Sequence, residues 1–511
     1  MKLSTNQPCR ADGEGSESDP PLPNPFVHEL KFNLAEKIRI ALMSMTVFPV
    51  RLLLVAFLML LAWPFAFMAS LGRSRFTVEP QSWWRRLVDL SLRVIMRVMW
   101  FCGGFHWITV KGKRAMPSEA PILTLAPHSS YFDAIPVTMT MGSIVTKLES
   151  KSIPVWGTLI NYIRPVFVFR SDQDSRRRTV DEIKRRAHSR GEWPQIMIFP
   201  EGTCTNRSGL IRFKPGAFIP ALPVQPVVLR YPNKLDTVTW TWQGPGAFKI
   251  LWLTLCQIHN PMEIEYLPVY TPSDEEKSDA ALFANNVRQL MASALKLPLT
   301  DLSFDDCQLS LSRGPLGIPS NSSLLTFNRL VCRLGLRAGT TDQMLEQQAT
   351  RARKLHDDRL GQEDFALYLN LPITDTLSQV HSLFNQDGDG RIDIRQYVLA
   401  LSVVRRPFKA METLKLAFKM YASEENGTVE EEDLDTILKT MLGTTEVDLT
   451  RLFVAVDPDI TGKFTYDDLH HFIKQHPDFD QQFITYSNVP RRGCFSRSNG
   501  YDSQTHKRKN D

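Results

Sequence analysis

The chain has 511 residues, 43% hydrophobic and 23% charged, which is the composition of a folded protein and too long for one ordinary domain. A net charge of +5 over that length gives no support to nucleic-acid binding. Seven scattered cysteines without a CxxC pair argue against a disulfide framework and a structural zinc site, and suit a reducing compartment.

Residues 1–25 are rich in Pro, Gly, Ser and acidic side chains without apolar periodicity, and read as a disordered tail. Residues 26–104 read as a membrane-anchoring region. Within it the run from Leu52 to Gly72, closed by Arg51 at one end and by Arg73 and Arg75 at the other, holds no charge over 21 residues. At about 1.5 Å per residue that is about 31 Å, enough to cross a hydrocarbon core of about 30 Å. Pro64 inside the run keeps a re-entrant segment open beside a transmembrane helix. Residues 28–50 and 83–100 mix basic, apolar and, in the second case, Trp positions, as interfacial helices would.

From 105 to 305 the pattern is α/β. The short apolar runs Ile122–Ala126, Val166–Phe169, Gln195–Phe199 and Val224–Leu229 read as buried strands, and the charged stretch Asp172–Arg190 as an exposed helix. The patch Ile250–Cys256 is too short to span and reads as core or membrane-facing surface. Residues 306–374 read as a helical linker.

Two polar motifs sit at strand exits. His128-Ser-Ser-Tyr-Phe-Asp133 follows the first strand. With His128 on the loop and Asp133 on the first turn of a helix, the carboxylate can fold back, orient the imidazole and raise its basicity. Phe199-Pro200-Glu201-Gly202-Thr203 follows another strand, and ligands in open α/β sheets collect at strand carboxyl ends. Arg170 closes a third strand and Lys214 follows Thr203 shortly after, both cations suited to a phosphate. Cys204 is a second candidate nucleophile, with His128 as its base. A serine hydrolase is disfavoured, because no Gly-x-Ser-x-Gly elbow surrounds Ser129 or Ser130.

Residues 375–480 repeat a helix–loop–helix unit. Asn385, Asp387, Asp389, Arg391, Asp393 and Gln396 stand at ligand positions 1, 3, 5, 7, 9 and 12 of a calcium-type EF-hand loop, with Gly390 at position 6. Gln396 replaces the bidentate carboxylate, which lowers the expected affinity. A second copy around Glu424, Asn426 and Asp433 begins at Ala422 and is degenerate. A third carries Asp457, Asp459, Thr461, Lys463 and Asp468, the last shorter than the usual Glu. Ca²⁺ at these loops and silent loops in a docking module both remain open. Residues 481–511 form a basic tail ending Lys507-Arg508-Lys509-Asn510-Asp511, which resembles a dilysine retrieval signal.

His128-x4-Asp133, Gly157 with Phe167–Arg170, Phe199–Thr203 and Leu222–Val227 stand in one order that resembles the four-block signature of the glycerolipid acyltransferase family. With the hydrophobic segment before and the EF-hands after, the whole chain resembles its lysophosphatidylcholine acyltransferase branch, which Glu201-Gly202-Thr203-Cys204 fits closely. The resemblance implies an α/β acyltransferase domain over 105–305, an N-terminal membrane-anchoring helix and a C-terminal all-α EF-hand domain. It implies an enzyme that moves an acyl group from acyl-CoA to a lysophospholipid hydroxyl with no cofactor for the chemistry. His128 and Asp133 would be catalytic, while Gly157, Arg170, Glu201, Gly202, Thr203, Cys204 and Lys214 would bind substrate. Lysophosphatidic acid or an ether lysolipid are alternative acceptors. The implied setting is the endoplasmic reticulum membrane, with Golgi and lipid droplets beside it, and the oligomeric state stays open. A catalytically dead calcium-responsive scaffold is disfavoured by the intact His128, Asp133 and Glu201.

Overall fold

A computed structural model describes residues 24–71, 82–168, 173–312, 322–336, 342–355, 358–385, 388–423, 426–443, 447–457, 461–476 and 485–486. Residues 1–23, Gly72, Phe169, Arg170, Asp387, Glu424, Asp459 and the tail from 487 onward lie outside the described residues. The chain divides into two units between Cys307 and Gln308.

In the first unit seven strands, β1 (Ile108–Lys111), β2 (Ile122–Ala126), β3 (Ser143–Lys147), β4 (Val166–Val168), β5 (Ile196–Ile198), β6 (Val224–Arg230) and β7 (Met262–Tyr266), form one sheet. Its order is β1-β7-β6-β2-β5-β3-β4. The central strands β6, β2, β5, β3 and β4 all run parallel, and β7 joins β6 antiparallel. Parallel strands covered on both faces read as unbroken apolar runs, and β2 is buried at every position. Because the five strands share a direction, the residues leaving them emerge along one edge.

The helices of this unit include α1 (Leu34–Ser70), α2 (Trp83–Cys102), α3 (Ile135–Thr140), α4 (Trp156–Tyr162), α5 (Gln173–Ala187) and α6 (Ala247–Leu255). The separation of an interfacial segment from an apolar run starting at Leu52 is corrected: α1 is continuous over 37 residues, with Pro49 and Pro64 inside it. Asn33 starts it through a capping box, its side chain accepting from Glu36 N at 2.8 Å and its N–H donating to Glu36 Oε2 at 2.9 Å. At about 1.5 Å per residue α1 is about 55 Å long, well beyond a bilayer core.

Arg51 also differs from its expected place as a flanking charge. Its guanidinium donates to Leu255 O at 3.0 Å, Ile258 O at 2.9 Å and Gln257 O, so it caps the carboxyl end of α6. Further along α1, Trp63 Nε1 donates to Thr158 Oγ1 on α4 at 3.2 Å. The apolar run is thus held to the sheet unit at its start and near its middle. Its outer side still presents Met45, Leu53, Phe57, Leu60 and Phe67 to the surroundings, and α2 presents Trp83, Leu87, Leu90, Val94, Val98 and Phe101 at helical spacing.

The second unit is helical. The helices Asp375–Ser382 and Ile394–Arg405 flank the first expected loop, Ala410–Tyr421 and Glu431–Leu442 the second, and Thr450–Val456 and Tyr466–Gln475 the third. Val429 and Phe464 pair antiparallel between the second and third loops. The stretch expected as a linker contains another such unit, helices Asp342–Lys354 and Gln362–Leu369. Its short loop pairs with the first: Leu360 N donates to Ile392 O at 2.9 Å and Ile392 N to Leu360 O at 3.0 Å. Tyr397 fills the core between Phe327, Phe365 and Phe384 with edge-on ring contacts.

Candidate active site

The loop after β2 carries His128, and Ser130 then caps a single 3-10 turn, Tyr131–Ala134. That turn brings Asp133 back under the ring, as the five-residue spacing predicts. His128 Nδ1 lies 2.9 Å from Asp133 Oδ2. The same oxygen accepts the backbone N–H of Ser129 at 2.6 Å and of Ser130 at 2.9 Å. Asp133 Oδ1 accepts the phenol of Tyr231 at 2.7 Å. The carboxylate is fully committed and its side chain 1% exposed, whereas the His128 side chain is 23% exposed. A carboxylate at Nδ1 places that nitrogen's proton on the Asp133 side and leaves the Nε2 lone pair outward.

Burial opposes a charge on the His128 ring, but the Cys204 sulfur and the Asp133 carboxylate outweigh it and hold the pKa well above 6.5. Burial, reinforced by Asp133, pushes the Tyr231 phenol well above its ordinary value, so it stays a donor.

The β5 exit lies beside this pair because β5 and β2 are neighbours. Glu201 is fully buried. Its Oε2 accepts His128 N at 3.2 Å and Thr205 Oγ1 at 3.3 Å. Burial, only partly offset by these donors and the His128 charge, pushes its carboxyl up to about 8, so at neutral pH it carries a proton. Glu201 therefore braces the His128 loop from within the protein. Gly202 has φ +70, and its missing Cβ leaves room for the Lys214 side chain. Thr203 Oγ1 accepts Trp242 Nε1 at 3.2 Å. Cys204 Sγ stands 3.5 Å from His128 Nε2. Lys214 is exposed, with Nζ 3.6 Å from the Phe304 ring centroid.

Gly157 does not join the cluster. It is buried in α4, where a Cβ would collide with the Lys151 carbonyl, which is a packing requirement. Arg170 lies outside the described residues, although the strand before it ends on the same edge. Three neighbours were missed from sequence. Tyr231 follows β6, and Trp242 belongs to a loop whose Trp240 N donates to Ser129 O at 2.8 Å. Lys147 ends β3, with Nζ 5.1 Å from the Trp242 ring centroid. Only Lys147 gave a signal, as a cation closing an apolar run.

The segment before α1 straps the turn after Cys204. Asn206 Nδ2 donates to Asn24 O at 2.9 Å and Val27 O at 2.8 Å, and Asn206 N to Pro25 O at 2.7 Å. Asn24 and Pro25 thus lie against the sheet unit, where a disordered tail to residue 25 was expected. The Asn206 sequon has both side-chain N–H groups committed, so glycosylation would have to break them.

An Acyltransferase family model matches residues 107–230, which hold His128, Asp133 and the β5 turn. A zebrafish (Danio rerio) lysophosphatidylcholine acyltransferase 1 is 64% identical over 460 residues, covering 90% of this chain and 89% of its own length. The human (Homo sapiens) lysophosphatidylcholine acyltransferase 1 is 59% identical, with 94% and 90% covered. The chain belongs to the lysophosphatidylcholine acyltransferase family. The family's human lysophosphatidylcholine acyltransferase 2 is 42% identical, over 96% of this chain and 90% of its own. Membership makes the chain an O-acyltransferase.

Proposed function

We propose that the protein transfers an acyl group from acyl-CoA to the free hydroxyl of lysophosphatidylcholine. The observation that carries the mechanism is the His128 ring held at Nδ1 by Asp133, which leaves Nε2 as the proton acceptor. His128 Nε2 takes the hydroxyl proton as the oxygen attacks the thioester carbonyl. The carbon–sulfur bond then breaks, and the departing CoA sulfur takes the proton from the imidazolium. Both substrates are held together, so orientation supplies part of the rate and no acyl-enzyme forms. Lys147 and Lys214 are placed to receive the acceptor phosphate, and Arg170 is proposed to join them from its place in the sequence after β4. Purified protein given labelled acyl-CoA and a panel of lysophospholipids should acylate lysophosphatidylcholine fastest. Faster turnover of lysophosphatidic acid, or acetyl transfer to an ether lysolipid alone, would overturn the acceptor assignment.

The apolar faces of α1 and α2 support membrane binding, and the anchoring of Arg51 and Trp63 supports a re-entrant arrangement over a crossing. The chain then resides in the endoplasmic reticulum membrane with the segments before and after the re-entrant helix both on the cytosolic side. Tags at either end should both be accessible after selective plasma-membrane permeabilisation; a protected tag at one end would refute this arrangement.

The second unit is proposed as an EF-hand module. Its helix–loop–helix units, joined through loop-to-loop strand pairs, support that reading. Among the described residues, two of the expected Ca²⁺ ligands have other partners. Among the described residues no three His, Cys, Asp or Glu side chains are gathered to hold a metal. Asp393 forms a bidentate pair with Arg395, its Oδ1 and Oδ2 lying 3.1 and 3.0 Å from Nε. Asp468 accepts Thr465 N at 3.0 Å and Thr465 Oγ1 at 2.6 Å as a helix cap.

A further inference from the structure

We propose that Arg359 is the resident cation of the first EF-hand-type loop, so that calcium can enter only by displacing it. The proposal rests on the EF-hand reading of the second unit and concerns why the loop is a poor calcium site.

Arg359 belongs to the short loop that precedes the calcium-type one in sequence. It stands immediately before Leu360, whose backbone exchanges both hydrogen bonds with Ile392. That register aims the Arg359 side chain at the ligand side of the neighbouring loop. Nη1 donates to Asp389 Oδ2 at 3.0 Å, and Nη2 to Arg391 O at 3.3 Å. These are the position-5 carboxylate and the position-7 carbonyl, two oxygens that would coordinate Ca²⁺. A guanidinium thus takes up, within the chain, part of the negative charge that a metal would neutralise.

Two further substitutions close the loop to calcium. At position 9, Asp393 is paired with Arg395, whose guanidinium also lies 4.1 Å from the Tyr421 ring centroid. That pair is mostly buried, at 15% and 17% side-chain exposure, so Asp393 is not released cheaply. At position 12, Gln396 supplies a neutral amide, and its Oε1 is buried without a hydrogen-bond partner among the described residues. Within the loop, Gly390 N donates to Asn385 Oδ1 at 3.2 Å, and Arg391 N to Asp389 Oδ1 at 2.9 Å.

The Arg359–Asp389 pair is about 40% exposed on both sides. Its loss alone should therefore change affinity only about fivefold, as for other solvated pairs. Restoring the position-12 carboxylate should do more, because affinity follows ligand charge and bidentate geometry.

The test is equilibrium dialysis of ⁴⁵Ca²⁺ against the full-length, detergent-solubilised protein, with Asp457→Asn throughout to silence the third loop. The parent should show no saturable site below about millimolar calcium. Gln396→Glu should bind measurably, and Gln396→Glu with Arg359→Gln up to about fivefold tighter again. Adding Asp389→Asn should abolish the gain. Micromolar binding by the parent, or equal affinity with and without Arg359→Gln, overturns the resident-cation proposal but leaves the EF-hand reading standing. No binding by any variant overturns both.

Discussion

Replacing His128 by alanine is expected to lower kcat/KM for acyl transfer by about 10³- to 10⁴-fold while leaving the protein folded. The effect is large because Nε2 is the proposed proton acceptor, and the rest of the site is arranged to hold that nitrogen outward. Glu201 braces the loop through His128 N at 3.2 Å, and the Phe199 ring lies 4.3 Å from the imidazole, centroid to centroid. A truncated side chain leaves both the loop and the Asp133 carboxylate held by backbone donors, so loss of activity cannot be ascribed to collapse. Cys204, 3.5 Å from Nε2, is the necessary control. Direct attack predicts that Cys204→Ala retains activity within about tenfold, since the thiol forms no bond in the reaction. It also predicts that initial-rate plots against the two substrates intersect. Parallel lines, with Cys204→Ala as inactive as His128→Ala, would move the reaction onto an acyl-cysteine. Both variants are assayed with labelled acyl-CoA, with circular dichroism as the check on folding.

How far the sequence disclosed this site depended on where each residue's partners lie. His128 and Asp133 interact across one turn, so their spacing alone suggested the pair. The strands β2, β4, β5 and β6 were visible because a parallel strand buried on both faces is an apolar run. Strand β7, between β1 and β6, was not, since Glu263 and Glu265 alternate with its apolar residues and pair with Arg230 at 2.6 Å each. Tyr231 had no local signal. Its contact with Asp133 exists only because β6 and β2 are parallel neighbours. Arg51 looked like the boundary of a membrane segment, but it caps α6, some two hundred residues further along the chain. The helix–loop–helix unit around Leu360 escaped notice because its loop, with Asp357 and Asp358 side by side, lacks the alternating oxygen ligands and the position-6 glycine of the calcium-type repeat. What it retains is the backbone pairing, which composition does not reveal.

The pH dependence offers the second large effect. His128 must be neutral to accept a proton, and its pKa is held well above 6.5, so kcat/KM should rise with pH through an acid limb displaced upward from an ordinary imidazole. Asp133→Asn removes the adjacent charge and the acceptor that fixes the tautomer. The plateau rate should fall by about 10²- to 10⁴-fold, and the acid limb should move to lower pH as the imidazolium loses its partner. Tyr231→Phe should shift the limb the other way. Without the 2.7 Å phenol hydrogen bond, more of the carboxylate's charge is available to the ring, which stabilises the imidazolium. The plateau should fall only about tenfold, because the backbone N–H groups of Ser129 and Ser130 still hold the other carboxylate oxygen. Opposite displacements in two variants that both slow the reaction would not arise from general loosening of the fold. If both limbs stay at the parent position while the plateaus fall, Asp133 and Tyr231 act on packing alone, and the ionisation that limits the rate belongs to another group.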